Sequence, residues 1–407
     1  MTKIVNSFKI QGVAVEELAE RFGTPLYVYD AAKIVEQIHT LKQAFGSVRH
    51  KIKYAAKALT NIAILKLIRQ AGAGVDVVSI YEAQLAKHAG FASSEIMYTP
   101  NGVAFEEIQK AVELGLTVNV DNLPTLEKFG KQFGANYPCG LRLNPHIMAG
   151  GNLKISTGHS HSKFGISIQQ LPLILDIVKR YNIKIQSLHI HTGSEITGID
   201  VYLKMAEVLF AASQNFPDLK SIDFGGGFKV RYKEDDKVTD IAGLGSELTR
   251  VFNQYCQQSG RDLELWIEPG KFIVSEAGYL IARANVVKET PSVTFVAVDT
   301  GLNHLLRPMM YDAYHEIING SNRSGEKKRY NIVGNICETD TLGADRELNE
   351  VKEGDLIVIK NAGAYGFSMS SNYNSRPRPA EVLIENGEPR LIRERETFDD
   401  LLKGQIF

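Results

Sequence analysis

From Pro25 to Glu268, short apolar runs alternate with longer helix-forming stretches. Runs at 26–29, 52–55, 74–78, 96–98, 117–120, 140–143, 185–191, 221–224 and 264–267 read as strands. Helices are predicted over 14–22, 31–45, 62–68, 81–89, 104–114, 123–133 and 169–181, with Asp30 as N-cap of the second and a long polar loop before the last. Repeated βα units of this size predict a closed (β/α)8 barrel over 25–275. The nine strand candidates exceed the eight of such a barrel, so one is in excess. After Glu268 the texture changes. Runs at 279–287, 293–298, 330–334, 355–360, 380–384 and 390–393 read as strands with turns between and few long helices. They predict a β-sandwich or β-barrel domain over 276–407, joined by residues 1–24, whose strand candidate at 7–10 lies outside the barrel pattern.

The composition is that of an ordinary globular chain, 44% hydrophobic and 23% charged, with ample material for a core. A net charge of -1 provides no global field to recruit nucleic acid or a membrane surface. The cysteines, Cys139, Cys256 and Cys337, are far apart and show neither a disulfide framework nor zinc spacing, so no metal is expected. The first residues lack an apolar signal core, and no run of 18 apolar residues occurs. The expected setting is a reducing cytoplasm.

Several polar clusters fall just past predicted strands. Lys57 follows Tyr54-Ala55-Ala56, where small neighbours leave room for a bulky group. A partly desolvated lysine amine there loses basicity and can form a Schiff base. His189 and His191 share one face of a strand by alternation, and the turn to Ser194 offers a hydroxyl and backbone N–H groups. Gly225, Gly226 and Gly227 follow another strand and suit an anion nest or a plain turn; they match neither a Walker loop nor a dinucleotide fingerprint. Glu268, before Pro269-Gly270-Lys271, can keep a ring nitrogen protonated. Further clusters are Arg307 to Tyr311, Asn335 to Asp340, and the Gly-, Ser-, Asn- and Tyr-rich stretch from Asn361 to Pro379. Taken singly, His189, Cys139 and Cys256 read as packing residues.

As an ordered set, Tyr54-Ala55-Ala56-Lys57, His191-Thr192-Gly193-Ser194, Gly225-Gly226-Gly227, Glu268-Pro269-Gly270, Cys337-Glu338 and Ala362-Gly363-Ala364-Tyr365 resemble the fold-type III pyridoxal-phosphate decarboxylases, the family of ornithine, arginine and diaminopimelate decarboxylases. The likeness runs from Pro25 to Val382. Ser162-Lys163-Phe164-Gly165, Arg307 to Tyr311 with His315, and Asn361 to Pro379 point to its diaminopimelate branch.

The resemblance implies pyridoxal 5′-phosphate as cofactor. Lys57 would carry it as an imine, His191 would stack on its ring, and Glu268 would pair with the ring nitrogen. Ser194, the three glycines and Gly270 would hold the phosphate, with Pro269, Lys271 and Tyr365 beside them. Lys271, Arg307, Tyr311, Glu338 and Tyr365 would contact an amino-acid substrate, and Cys337 would return a proton to it. The site would be shared across a homodimer, with Cys337 and Glu338 coming from the second subunit. The implied reaction converts meso-2,6-diaminopimelate to L-lysine and CO2. Ornithine, arginine or a carrier-bound amino acid is the alternative within the class. A cofactor-binding regulator is the alternative outside it, although such a chain would be expected to lose Lys57 or Cys337. The sequence departs from the family at Lys271, where arginine is usual: the charge is kept and the bidentate fork is lost.

Overall fold

The computed structural model describes residues 7–149, 157–159, 161–324 and 326–406, so part of the polar loop before residue 169 and the first six residues lie outside the description. The chain divides into two compact units: 35–230 with 237–273, and 1–34 with 231–236 and 274–407.

The first unit is a closed parallel barrel. Its strands are β1 (His50–Ala55), β2 (Gly74–Val77), β3 (Ile96–Tyr98), β4 (Thr117–Val120), β5 (Cys139–Asn144), β6 (Ile185–His189), β7 (Ser221–Asp223) and β8 (Glu264–Ile267). Each pairs with the next in parallel, and β8 returns to β1 with Leu265 opposite His50 and Ile267 opposite Ile52. Short strand-to-helix turns are fixed by side-chain caps. Asn61, Ser79, Asn122 and Asp240 each accept a backbone N–H from the first turn of the helix that follows. Helices Ile199–Ser213 and Ile241–Ser259, absent from the sequence reading, complete the alternation after β6 and β7. The second packs so closely that a Cβ on Gly245 would lie 2.3 Å from the carbonyl oxygen of Ala44.

The second unit is built of β-strands. The long strand Gly278–Glu289 pairs antiparallel along its first half with Leu26–Asp30 on one side and Leu356–Ile359 on the other. Its second half pairs with Thr294–Val298, which leads to Lys327–Val333 and Thr341–Asn349. Leu26–Asp30 also pairs in parallel with Ala380–Glu385, which continues to Glu388–Arg393. The excess strand is thereby located. Residues 26–30 belong to this unit, so the barrel does not begin at residue 25 as expected. Leu26, Tyr27, Val28 and Tyr29 are fully buried and the helix Ala31–Ala44 follows, so the segment reads locally like a barrel βα unit. Asp30 caps that helix as expected, accepting the Lys33 N–H at 3.0 Å. The N-terminal strand candidate is a two-residue hairpin arm, Lys9–Ile10 against Val13–Ala14, packed with the core of this unit.

Candidate active site

The C-terminal ends of the barrel strands carry a concentration of ionisable side chains. Lys57 lies in the single turn Ala56–Ala58 directly after β1 and is exposed, so the expected desolvation of its amine is not found. Its charge acts on Asp76, His189, His191 and Glu268, which places all five groups around one cleft. Asp76 (end of β2), Arg142 (β5), His189 (end of β6), Asp223 (end of β7) and Glu268 (just after β8) are all nearly inaccessible to water.

Three strand-end loops are knit together. The Gly226 N–H donates to His191 Nδ1 at 3.3 Å, the Glu268 N–H to the Gly225 carbonyl at 2.7 Å, and the Ile196 N–H to the Gly227 carbonyl at 2.9 Å. A Cβ on Gly226 would sit 2.3 Å from the Glu268 carbonyl oxygen, and one on Gly227 2.5 Å from that of Gly193, so side chains here would force the loops apart. The Gly225 N–H donates to Asp223 Oδ1 at 2.8 Å. Two of the three amides in the glycine turn are thus engaged within the protein. Ser194 is half-buried on the adjoining loop, and Glu195 after it takes a left-handed φ of 63°. Lys271 Nζ reaches Glu195 Oε1 at 3.1 Å, which gives the residue in the usual arginine position a carboxylate partner. Pro269 and Gly270 are buried between Glu268 and Lys271.

The electrostatics of the cleft separate its carboxyls. Burial, followed by the charge of Glu268, pushes Asp76 and Asp223 well above the usual carboxylate range. Burial acts on Glu268 in the same sense, but His189, His191 and Lys57 outweigh it and hold Glu268 below that range. Three buried carboxylates cannot all ionise together, and Glu268 is the one kept as an anion. Desolvation, reinforced by Lys57 and Arg142, lowers His191 well below its ordinary value. Because His191 Nδ1 accepts a hydrogen bond, its proton sits on Nε2 and the ring is neutral. Glu268 Oε1 is buried with no hydrogen-bond partner among the described residues, as is Asp223 Oδ2. His189, Asp223 and Glu268 bring ligand atoms within 4.8 Å of one another, a donor set suited to a cation.

The remaining predicted site residues lie in the β unit. Arg307 and Tyr311 stand at the two ends of one short helix, Arg307 buried and Tyr311 half-buried. Arg307 Nη1 donates to the Tyr232 hydroxyl at 3.0 Å and to His315 Nε2 at 3.1 Å. Cys337 and Glu338 are exposed. The Cys337 N–H donates to Asn374 Oδ1 at 2.9 Å, Asn374 Nδ2 approaches the Cys337 sulfur at 3.1 Å, and the Tyr373 hydroxyl donates to Glu338 at 2.7 Å. Tyr365 takes a left-handed φ of 57° in the segment that follows Leu356–Ile359. Cys139 is buried, which raises its thiol and fits the packing reading.

Sequence alone marks neither Asp76 nor Arg142, and it gives Asp223, at the head of the glycine turn, no role. The available signal was a lone charged residue inside an otherwise apolar strand, as in Gly74-Val75-Asp76-Val77 and Gly140-Leu141-Arg142-Leu143. His189 was read as packing, whereas its Nε2 lies 3.1 Å from Glu268 Oε2.

Comparison with known proteins defines the class. Residues 31–275 match the family described as "Pyridoxal-dependent decarboxylase, pyridoxal binding domain". The diaminopimelate decarboxylase of Methanothermobacter thermautotrophicus is 38% identical over 97% of this chain and 95% of its own length. That of Bacillus subtilis is also 38% identical, over 97% and 94%. The crystal structure of diaminopimelate decarboxylase from M. jannaschii in complex with L-lysine superimposes with a TM-score of 0.91 at 33% identity, covering 99% of this chain and 96% of that one. The chain belongs to the pyridoxal-dependent decarboxylases and, among them, to the diaminopimelate decarboxylase family. The cleft fits the cofactor of that family. Lys57 supplies an accessible amine, and the unpartnered buried oxygen of Glu268 is an acceptor suited to a protonated ring nitrogen. Among the described residues no helix is long and apolar enough to cross a membrane.

Proposed function

We infer that the protein decarboxylates meso-2,6-diaminopimelate to L-lysine and CO2 with pyridoxal 5′-phosphate as cofactor. The observation that carries this reading is the strand-end cleft, where an accessible lysine faces a buried glutamate with one uncommitted oxygen. When bound, the cofactor supplies a conjugated electron sink for the electron pair left at Cα as CO2 departs. The protein's part is to bind, orient and handle protons. Lys57 anchors the cofactor through its amine. The neutral ring of His191, fixed by the Gly226 N–H, would stack on the cofactor ring. Glu268 holds the ring nitrogen in its protonated form. Ser194, Gly270 and the Gly227 end of the glycine turn would hold the phosphate, since Gly225 and Gly226 donate elsewhere. Pro269 shapes that loop, and Tyr365 reaches phosphate and substrate. Lys271, paired with Glu195, adds a point charge in place of an arginine fork.

Arg307 and Tyr311 read the distal carboxylate of the substrate, and Glu338 reads its distal ammonium. The active form is a homodimer in which Cys337 and Glu338 come from the second copy, with the Cys337 thiol as proton donor to Cα. The relatives' names and the L-lysine bound to one of them support this choice of substrate and product. The test is a substrate panel assayed for CO2 with products identified. A site that needs both distal groups should favour meso-diaminopimelate over ornithine, arginine and lysine by roughly 10³ or more in kcat/KM. Comparable kcat/KM with ornithine would replace this assignment with another member of the decarboxylase class.

A further inference from the structure

His189 sits at the end of β6 with 1% of its surface exposed. Neither ring nitrogen completes a well-aligned hydrogen bond among the described residues. A buried imidazole without partners is costly, so His189 is not a satisfied packing residue. The polar group in reach is Glu268, whose Oε2 lies 3.1 Å from His189 Nε2. The other oxygen, Oε1, is buried and unpartnered. Asp223 closes the third side of the group, and its Oδ1 is committed to the Gly225 N–H. Catalytic hydrogen bonds that are long or misaligned in an unliganded site tighten once the ligand arrives.

We propose that His189 is a positioning residue that acts through Glu268: its Nε2–H holds Oε2, so that Oε1 is turned to the protonated ring nitrogen of pyridoxal phosphate. Neutral imidazole performs this task, because it donates one hydrogen bond without neutralising the carboxylate. The inference rests on the assignment of Glu268 to the ring nitrogen.

The experiment compares two ligands on the full-length protein stripped of cofactor: pyridoxal phosphate and its 1-deaza analogue, in which carbon replaces the ring nitrogen. Dissociation constants are read from protein fluorescence. The unmodified protein should prefer pyridoxal phosphate, and His189→Leu should reduce that preference about tenfold or more. His189→Gln returns an amide N–H close to the Nε2 position and should restore most of it. If His189→Leu does not fold, His189→Asn, too short to reach Oε2, should show the same loss. An unmodified protein without preference would overturn the Glu268 assignment itself. A preference that survives in His189→Leu or His189→Asn, or affinities for both ligands that fall equally, would overturn the role of His189 while leaving Glu268 in place.

Discussion

Two buried polar groups in this molecule look alike in sequence and differ in how they are satisfied. In the β unit, His315 Nδ1 donates to the Lys360 carbonyl at 2.9 Å, so its Nε2 is free to accept from Arg307. Arg307 Nη1 spends its two protons on His315 and Tyr232. The Tyr232 hydroxyl then donates to Ser275, 3.0 Å away, and Ser275 to the Asn361 carbonyl at 3.3 Å. Every proton on this path has a destination. In the barrel cleft, Asp76, Asp223, Glu268 and His189 all keep buried polar atoms without hydrogen-bond partners among the described residues. The closed network fixes the orientation of Arg307 in advance, and the open one is held ready for a ligand that brings the missing partners. The difference teaches how each site is prepared: one by placing its protons beforehand, the other by leaving protons and lone pairs over.

The largest effect that would sharpen this contrast lies at Lys57. Lys57→Ala should remove the absorbance band above 400 nm and cut turnover by about 10³-fold or more. A variant retaining a tenth of normal activity would take Lys57 out of the mechanism. Mixed with Cys337→Ala protein under conditions of subunit exchange, it should recover measurable activity; exchange without recovery would count against a shared site.

A second pair of variants tests the contrast itself. Arg307→Met leaves the Tyr232 hydroxyl and His315 Nε2 without their donor, and should destabilise the cofactor-free protein by about 2–4 kcal/mol. Glu268→Gln removes a buried carboxylate that has an unpartnered oxygen. It should lower the denaturation midpoint by less than Arg307→Met does, while weakening cofactor binding by roughly 10–100-fold. A midpoint left unchanged by Arg307→Met, or lowered as far by Glu268→Gln, would erase the distinction between closed and open networks.

The smallest effect concerns Lys53, which is buried in β1, donates to the Glu95 carbonyl at 3.0 Å and lies over Trp266. Burial, then repulsion from Lys51, lowers it to about 8. The unfolded chain therefore holds this proton more tightly than the folded chain. The buried charge costs stability at every pH below about 8, and the cost fades as pH rises toward the ordinary lysine value near ~10.4. Lys53→Met should thus stabilise by about 1–2 kcal/mol at neutral pH, a gain that shrinks to nothing in alkali. Denaturant midpoints measured across that range would show a constant gain if the cause were packing alone.

Much of this was legible in the sequence, for definable reasons. Lys57, His191 and Glu268 stand at strand ends, and strand ends can be read from short apolar runs. The barrel followed from the repeat of those runs. Leu26–Asp30 misled because burial on both faces produces the same apolar signature in either unit. His189 was missed because a lone histidine carries no local mark of its partner, and Glu268 lies far along the chain. Glu195 carries no such mark either: its meaning depends on Lys271, two barrel strands away in sequence. What sequence could not supply was the pairing of polar groups between distant segments, which only three-dimensional closure decides.

The placement of Leu26–Asp30 also bears on how the chain is made. Leu26 lies opposite Ile281 on one side and Ala380 on the other. At synthesis rates of ~5–20 residues per second, the strand emerges roughly 20–70 s before its last partner exists. All eight barrel strands leave the ribosome during that wait. The barrel can therefore fold in order of appearance, while the β unit is a late ring-closing event that recruits one of the earliest segments. Until its partners emerge, a strand destined for burial stands with bare edges in need of protection.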